Sequence, residues 1–387
     1  MKKTLKIFCI IIVTFVITVY GGVFLGHKAF FIEETSAVPT IQAVTDGTFI
    51  LGVQARLKQP ETVEEFIPVL AEQLKRYNEV APVLWQDNAV VNQSLIIEKI
   101  RGNKFWIIDP DGTVTPITKK QALSYGFSRN TYVDGFSFFD GGMYYAIADK
   151  DVKNVLDWQK YLHLGTHDAI LFLTHEQFHN AEQEKWQYID NIPNRGRSEF
   201  LGNIPARAKR ALLQNQLLKA VSEPNNTQLI LEALSTYEDW KANFPEDYKN
   251  SYYFDRKEGA AYYYELVSGL YIGYPDQIIT GSDLDRALAL LATRKDIYVR
   301  HGLVAEAYTV GGFSCVLLDR LEDDWQKRLM DNPEATPIEM LYQHFKDEEL
   351  PAPQELTQVE VDTTGEEIQR PTDVKPRLFR FLFDILF

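Results

Sequence analysis

Cysteine is nearly absent: the chain of 387 residues holds two, Cys9 and Cys315. A disulfide framework is therefore not expected, and Cys315 reads as a small core residue rather than a nucleophile. Positive charge is also short. The formal net charge is −14, which argues against nucleic acid as a partner. No G-x-S-x-G elbow, P-loop or internal repeat occurs, so serine-hydrolase, P-loop and solenoid readings have no footing. Disorder is excluded as well, since 45% of residues are hydrophobic and 13% aromatic.

The one uncharged stretch of membrane-spanning length runs from Ile7 to Leu25, behind Lys2, Lys3 and Lys6. It predicts a transmembrane signal anchor over 1–27, with a cytoplasmic N-terminus and the remainder extracytoplasmic at the cell membrane. A cleaved signal peptide is the alternative, but no clear A-x-A site follows. Residues 28–48 read as a linker. Short alternating runs at Ala89–Ile97, Lys104–Asp109, Gly112–Ile117 and Tyr132–Ala148, with a helix at Val63–Tyr77, make 49–149 an α+β part on a small mixed sheet. From 150 to 346 helical spacing dominates, with helices expected at Asp168–Tyr188, Pro205–Val221, Thr227–Asn243, Arg256–Leu270, Ser282–Tyr298, Leu303–Met330 and Thr336–Phe345. Residues 347–387 read as an acidic, extended tail with an apolar end too short to span a bilayer.

Against this background one segment stands out. Leu171–Ala181 contains His175-Glu176-Gln177-Phe178-His179, the H-E-x-x-H pattern, two of the seven histidines. On a helix, residues four apart share a face, so both imidazoles can reach one metal ion. Glu176 can then hold a water as general base, and zinc is the first choice of metal. The plain alternative is an exposed helix with two solvated histidines. The apolar run Ala169–Leu173 and the uncharged Gln177, Phe178 and Asn180 favour a helix lining a buried site, with Asp168 as its N-cap.

Two imidazoles leave a catalytic zinc one protein ligand short. His301 and His344 are the downstream histidines, and none lies between His179 and His301, which favours a carboxylate. Glu258 opens the run Glu258-Gly259-Ala260-Ala261-Tyr262-Tyr263-Tyr264-Glu265, where small residues would let a second helix approach closely. It can equally be an ordinary acidic residue favouring a helix start. His163 and His167, also four apart, flank Gly165 and Thr166 and read as a loop.

HEQFH followed by a helix opening E-G-A-A-Y-Y-Y-E resembles the gluzincin zinc metallopeptidases, and within them the aminopeptidase-N-like group. The resemblance implies a zincin-like helical catalytic part, zinc on His175, His179 and Glu258, and Glu176 as general base. Glu306-Ala307-Tyr308-Thr309-Val310-Gly311-Gly312-Phe313 is similar to the family's Y-x-x-G segment, which implies that Tyr308 stabilises the oxyanion. The family's two ligand helices lie closer in sequence than here, so the helical pair Pro205–Asn243 has to fill the gap. Its G-x-M-E-N strand, which holds a substrate amine, has a counterpart only in Gly141-Gly142-Met143-Tyr144-Tyr145, without the carboxylate. The expectation is a membrane-anchored zinc peptidase acting on a peptide or protein. The alternative is a surface protein that keeps the scaffold and binds a partner without chemistry. An intramembrane protease is excluded, because Glu182, Glu184 and Lys185 follow the motif at once.

Overall fold

A computed structural model describes residues 60–369, apart from 86–91, 101, 128–135, 153–168, 188–196, 275–277 and 294. The first element among the described residues is a helix, α1 (Val63–Leu84), started by Thr62, whose hydroxyl accepts from the Glu65 amide. Five strands follow: β1 (Ser94–Lys99), β2 (Lys104–Ile108), β3 (Val114–Ile117), β4 (Phe136–Phe139) and β5 (Gly142–Ile147), with the short helices α2 (Lys119–Leu123) and α3 (Asp149–Val152). The sheet order is β3-β2-β1-β5-β4. It is mixed: β1 pairs antiparallel with β2 and parallel with β5. The β2–β3 hairpin closes through Gly112, whose positive φ of 84° suits glycine, and whose amide donates to the Asp109 carbonyl at 2.8 Å.

Period-two alternation divides the strands between two cores. Ile96, Phe105, Ile107 and Tyr144 cluster with Ala122 and Phe127 on one face. Tyr145 points the other way and meets Phe172 of α4 (Ala169–Gln177), with ring centroids 5.8 Å apart. The sheet thereby backs the helix that carries the histidine motif. After α4 the backbone widens into a π-helical turn, Phe178–Glu182, then tightens into a 3₁₀ turn, Gln183–Lys185.

The remaining helices are α5 (Arg197–Gly202), α6 (Ile204–Ser222), α7 (Thr227–Asn243), α8 (Pro245–Gly273), α9 (Gly281–Ala292), α10 (Lys295–Tyr298), α11 (Leu303–Leu321), α12 (Trp325–Asp331), α13 (Pro337–His344) and α14 (Gln358–Gln369). Helix α8, at 29 residues, packs against α1, α4, α7, α9, α11 and α13. Tyr77 of α1 bonds Tyr264 of α8 through their hydroxyls at 2.8 Å, fully buried. Trp85 rests on Phe178, Trp186, Tyr263 and Trp325, an aromatic floor below the motif.

The fold is thus α+β, a five-stranded mixed sheet with mostly helices, and the expected class needs correction on one point. Among the described residues no helix is long and apolar enough to cross a membrane. The longest, α8, carries Asp247, Lys249, Asp255, Arg256, Lys257, Glu258 and Glu265, each costly in a bilayer core. The transmembrane helix assigned to 1–27 lies outside the described residues and is not retained in the fold class. Other boundaries also shift. The helix expected at Leu303–Met330 breaks at Glu322–Asp324 into α11 and α12. The helix expected at Ser282–Tyr298 ends at Ala292 and resumes as α10. Within the expected tail, Gln358–Gln369 is helical. Asp168, His163 and His167 lie outside the described residues.

Candidate metal centre

The site is built where α4 passes under α8. His175 is buried in the last turn of α4, and His179 follows inside the π turn. Such turns widen the helix locally and are frequent at functional sites. The two Nε2 atoms lie 3.1 Å apart. Glu258 of α8 brings Oε2 to 3.5 Å from His175 Nε2 and 3.3 Å from His179 Nε2. These atoms form a group of two imidazole nitrogens and one carboxylate oxygen that can hold a metal ion. Geometry tests the fit. An ion about 2.0–2.1 Å from tetrahedrally placed ligands spaces them about 3.3 Å apart, which is the separation seen between these donors.

The outward nitrogens are tied down. His175 Nδ1 lies 2.8 Å from Glu265 Oε2, one buried pair from α4 to α8. His179 Nδ1 lies 2.6 Å from Gln183 Oε1, and Gln183 Nε2 donates to the Lys257 carbonyl at 2.8 Å. Because the Gln183 amide spends its nitrogen on that carbonyl, its oxygen must accept, so His179 carries its proton on Nδ1. Nε2 then presents a lone pair toward Glu258. Partners of this kind fix the ring and its tautomer.

Charge follows the same layout. Burial works to raise the Glu258 carboxyl; in their charged form, with Nε2–H donated to it, His175 and His179 outweigh that and hold the group well below the usual carboxylate range. Burial pushes Glu265 well upward, opposed by the Arg300 guanidinium. The Arg300 backbone is held on both sides by Gln214 of α6, whose side chain donates to the Arg300 carbonyl and accepts from its amide at 3.0 Å each.

Tyr308 of α11 stands beside the histidines. Its ring meets His175 edge-on at 5.7 Å and stacks on Tyr262 at 5.0 Å. Burial, and next the Glu258 carboxylate, raise the phenol well above its ordinary value, so it is a protonated donor at any physiological pH. Tyr308 reaches this position because α8 and α11 touch at glycine: a Cβ on Gly259 would lie 2.4 Å from the Gly311 Cα.

Of the sequence-derived residues, His175, His179 and Glu258 come together and Tyr308 stands against His175. Gln183, the oxygen partner of His179, was missed, although its place four residues after a ligand on one helical face is a readable signal. Arg300 was missed too, and nothing local in its sequence marks it. His301 bonds Glu367 at 3.0 Å and His344 bonds Glu322 at 2.8 Å, both at other places in the fold. Comparison with protein-family models, curated proteins and solved structures returns no match.

Proposed function

We propose that this protein is a zinc-dependent peptidase. The observation that carries the reading is the convergence of His175 Nε2, His179 Nε2 and Glu258 Oε2 at 3.1–3.5 Å, with the Tyr308 ring edge-on to His175. Two neutral imidazoles and a carboxylate with one position left open are the donor set of a catalytic zinc site. The motif likeness to gluzincins points the same way. When bound, zinc supplies a Lewis acid that polarises a carbonyl and makes water a nucleophile near neutral pH.

The chain's own groups supply the rest. Glu176 takes a proton from the attacking water on its carboxylate and returns it to the leaving amine. The Tyr308 phenol donates a hydrogen bond to the oxygen that gains charge. Glu265 and Gln183 hold the two imidazoles in orientation. The substrate class is a peptide, and the missing carboxylate at Met143–Tyr145 gives no amine anchor of the aminopeptidase kind.

Glu176→Gln tests the reading. Hydrolysis of a mixed quenched-fluorescence peptide library should fall by about 10²–10⁴-fold while bound zinc is unchanged. Full residual hydrolysis by the Gln variant contradicts the assigned role, and a wild-type chain with no hydrolysis at all contradicts the peptidase reading.

A further inference from the structure

A second charged assembly lies in the interior, and the chemistry above does not use it. Arg207 and Arg210 project from α6, both 0% exposed. Arg210 grips Asp255 with two nitrogens, at 2.6 and 3.1 Å, and its Nε reaches Glu306 at 3.4 Å. Arg207 donates to Glu306 at 2.6 Å and to Asp247 at 2.8 Å. Glu306 also accepts from the Gly302 amide at 3.1 Å, at the start of α11. Asp247, Asp255 and Glu306 are all buried. Two guanidiniums thus face three carboxylates in the buried core.

An assembly of this kind is a poor source of stability, because the cost of dehydrating the charges rivals their attraction. Its placement suggests another use. Asp255 lies one turn before Glu258 on α8, and Glu306 lies two residues before Tyr308 on α11. The two helices meet without side chains between them: a Cβ on Gly311 would fall 2.1 Å from the Asp255 carbonyl oxygen. A contact between bare backbones fixes closeness, but it resists sliding and rotation less than interlocking side chains do. Arg210 supplies what glycine cannot. One planar guanidinium holds a carboxylate from each helix, and its fork geometry tolerates little displacement.

We infer that Arg210 is a positioning residue that sets α8 against α11 and so holds Glu258 opposite Tyr308. The inference rests on the metal-site reading above. Arg207 steadies the same pair of helices from Asp247 and Glu306, one turn away.

The experiment uses the full chain, with Arg210→Lys and the charge-compensated pair Arg210→Met with Asp255→Leu. Zinc affinity is read by competition with a chromophoric chelator, the thermal midpoint on the metal-free protein, and kcat and KM on a fluorogenic peptide. The paired variant should melt within a few degrees of wild type, since a buried ion pair replaced by apolar residues is often neutral in stability. Its zinc affinity should weaken about tenfold or more, and kcat should fall about tenfold or more with KM changed less. Arg210→Lys, which keeps the charge and loses the fork, should fall between the two. A folded paired variant with zinc affinity and kcat like wild type overturns the inference. Should that variant not fold, Arg210→Lys decides, and wild-type zinc affinity in it overturns the inference equally. A wild-type chain that binds no zinc overturns the metal reading first, and this inference with it.

Discussion

Gly259 and Gly311 touch through their backbones, and this contact sets the distance between the helix that carries Glu258 and the helix that carries Tyr308. The sequence pattern E-G-A-A on one helix and G-G on the other is the condition for it. Intrinsic helix propensity favours alanine over glycine by about 1 kcal/mol, so both glycines would be replaced if only local stability mattered. Space decides otherwise.

Gly311→Ala tests that contact. Its new methyl would lie 2.1 Å from the Asp255 carbonyl oxygen, a backbone atom that cannot swing away. The helices must part by about an ångström, and overpacking of this kind costs about 1–3 kcal/mol, more than the propensity gain. Thermal denaturation should show a lower midpoint. Peptide hydrolysis should fall by more than the lost stability explains, because a shift of about 1 Å at a reacting centre can cost on the order of 10²-fold. An unchanged midpoint would mean that the helices have slack there.

Gln183→Met probes the support of a single imidazole. The variant keeps the volume and removes the oxygen that accepts from His179 Nδ1 at 2.6 Å. Zinc affinity should weaken about 10–100-fold, with secondary structure by circular dichroism unchanged. Affinity equal to wild type would show that the π turn alone orients the ring.

Much of this site was legible, and the reason is local. H-E-x-x-H places two donors on one helical face, and the small residues after Glu258 mark a close helix crossing. The rest was hidden by its polarity. Helix α8 starts at Pro245, yet the stretch from Glu246 to Asp255 is full of Asp, Lys, Asn, Ser and Tyr. Hydrophobic periodicity is blind there, because the buried face is made of Asp247, Asn250, Ser251, Asp255 and Arg256. The same blindness concealed Arg207 and Arg210, whose partners lie on other helices. Helix α14 lacks a sequence signal for the opposite reason: nearly all its residues face solvent, and Thr364 is its one buried residue. The π turn after α4, whose Phe178 packs on Trp85 and on Tyr264 of α8, has no sequence signature.

Tyr308→Phe separates binding from chemistry. The ring stacking on Tyr262 survives, and the phenol hydrogen is lost. Zinc content should be unchanged while kcat falls about 10²–10³-fold, the range for removal of one oxyanion donor. A kcat within about twofold of wild type would assign Tyr308 to the core alone.

Acid should loosen the joint between α1 and the sheet. Hydrogen bonds from Lys104 and then Lys99 lower the Glu64 carboxyl from 4.5 to about 2. A carboxyl lowered on folding contributes stability that is fully present above 4.5 and is lost as pH falls through about 2. Glu64 and both lysines are partly exposed, so the contribution is small and screened by salt. The difference in thermal midpoint between wild type and Glu64→Gln should therefore be present at pH 7 and shrink as pH falls from about 4.5 to about 2. A difference that stays constant across that interval would remove the ion pairs as its cause.

The central claim is that Glu258 completes a metal site with His175 and His179. Zinc content by mass spectrometry, measured on the gently purified full chain and on Glu258→Ala, tests it most directly. The account predicts zinc equimolar with the wild-type chain and markedly less on the folded variant. Equal zinc in the two proteins, or none in wild type after zinc is offered, would contradict it.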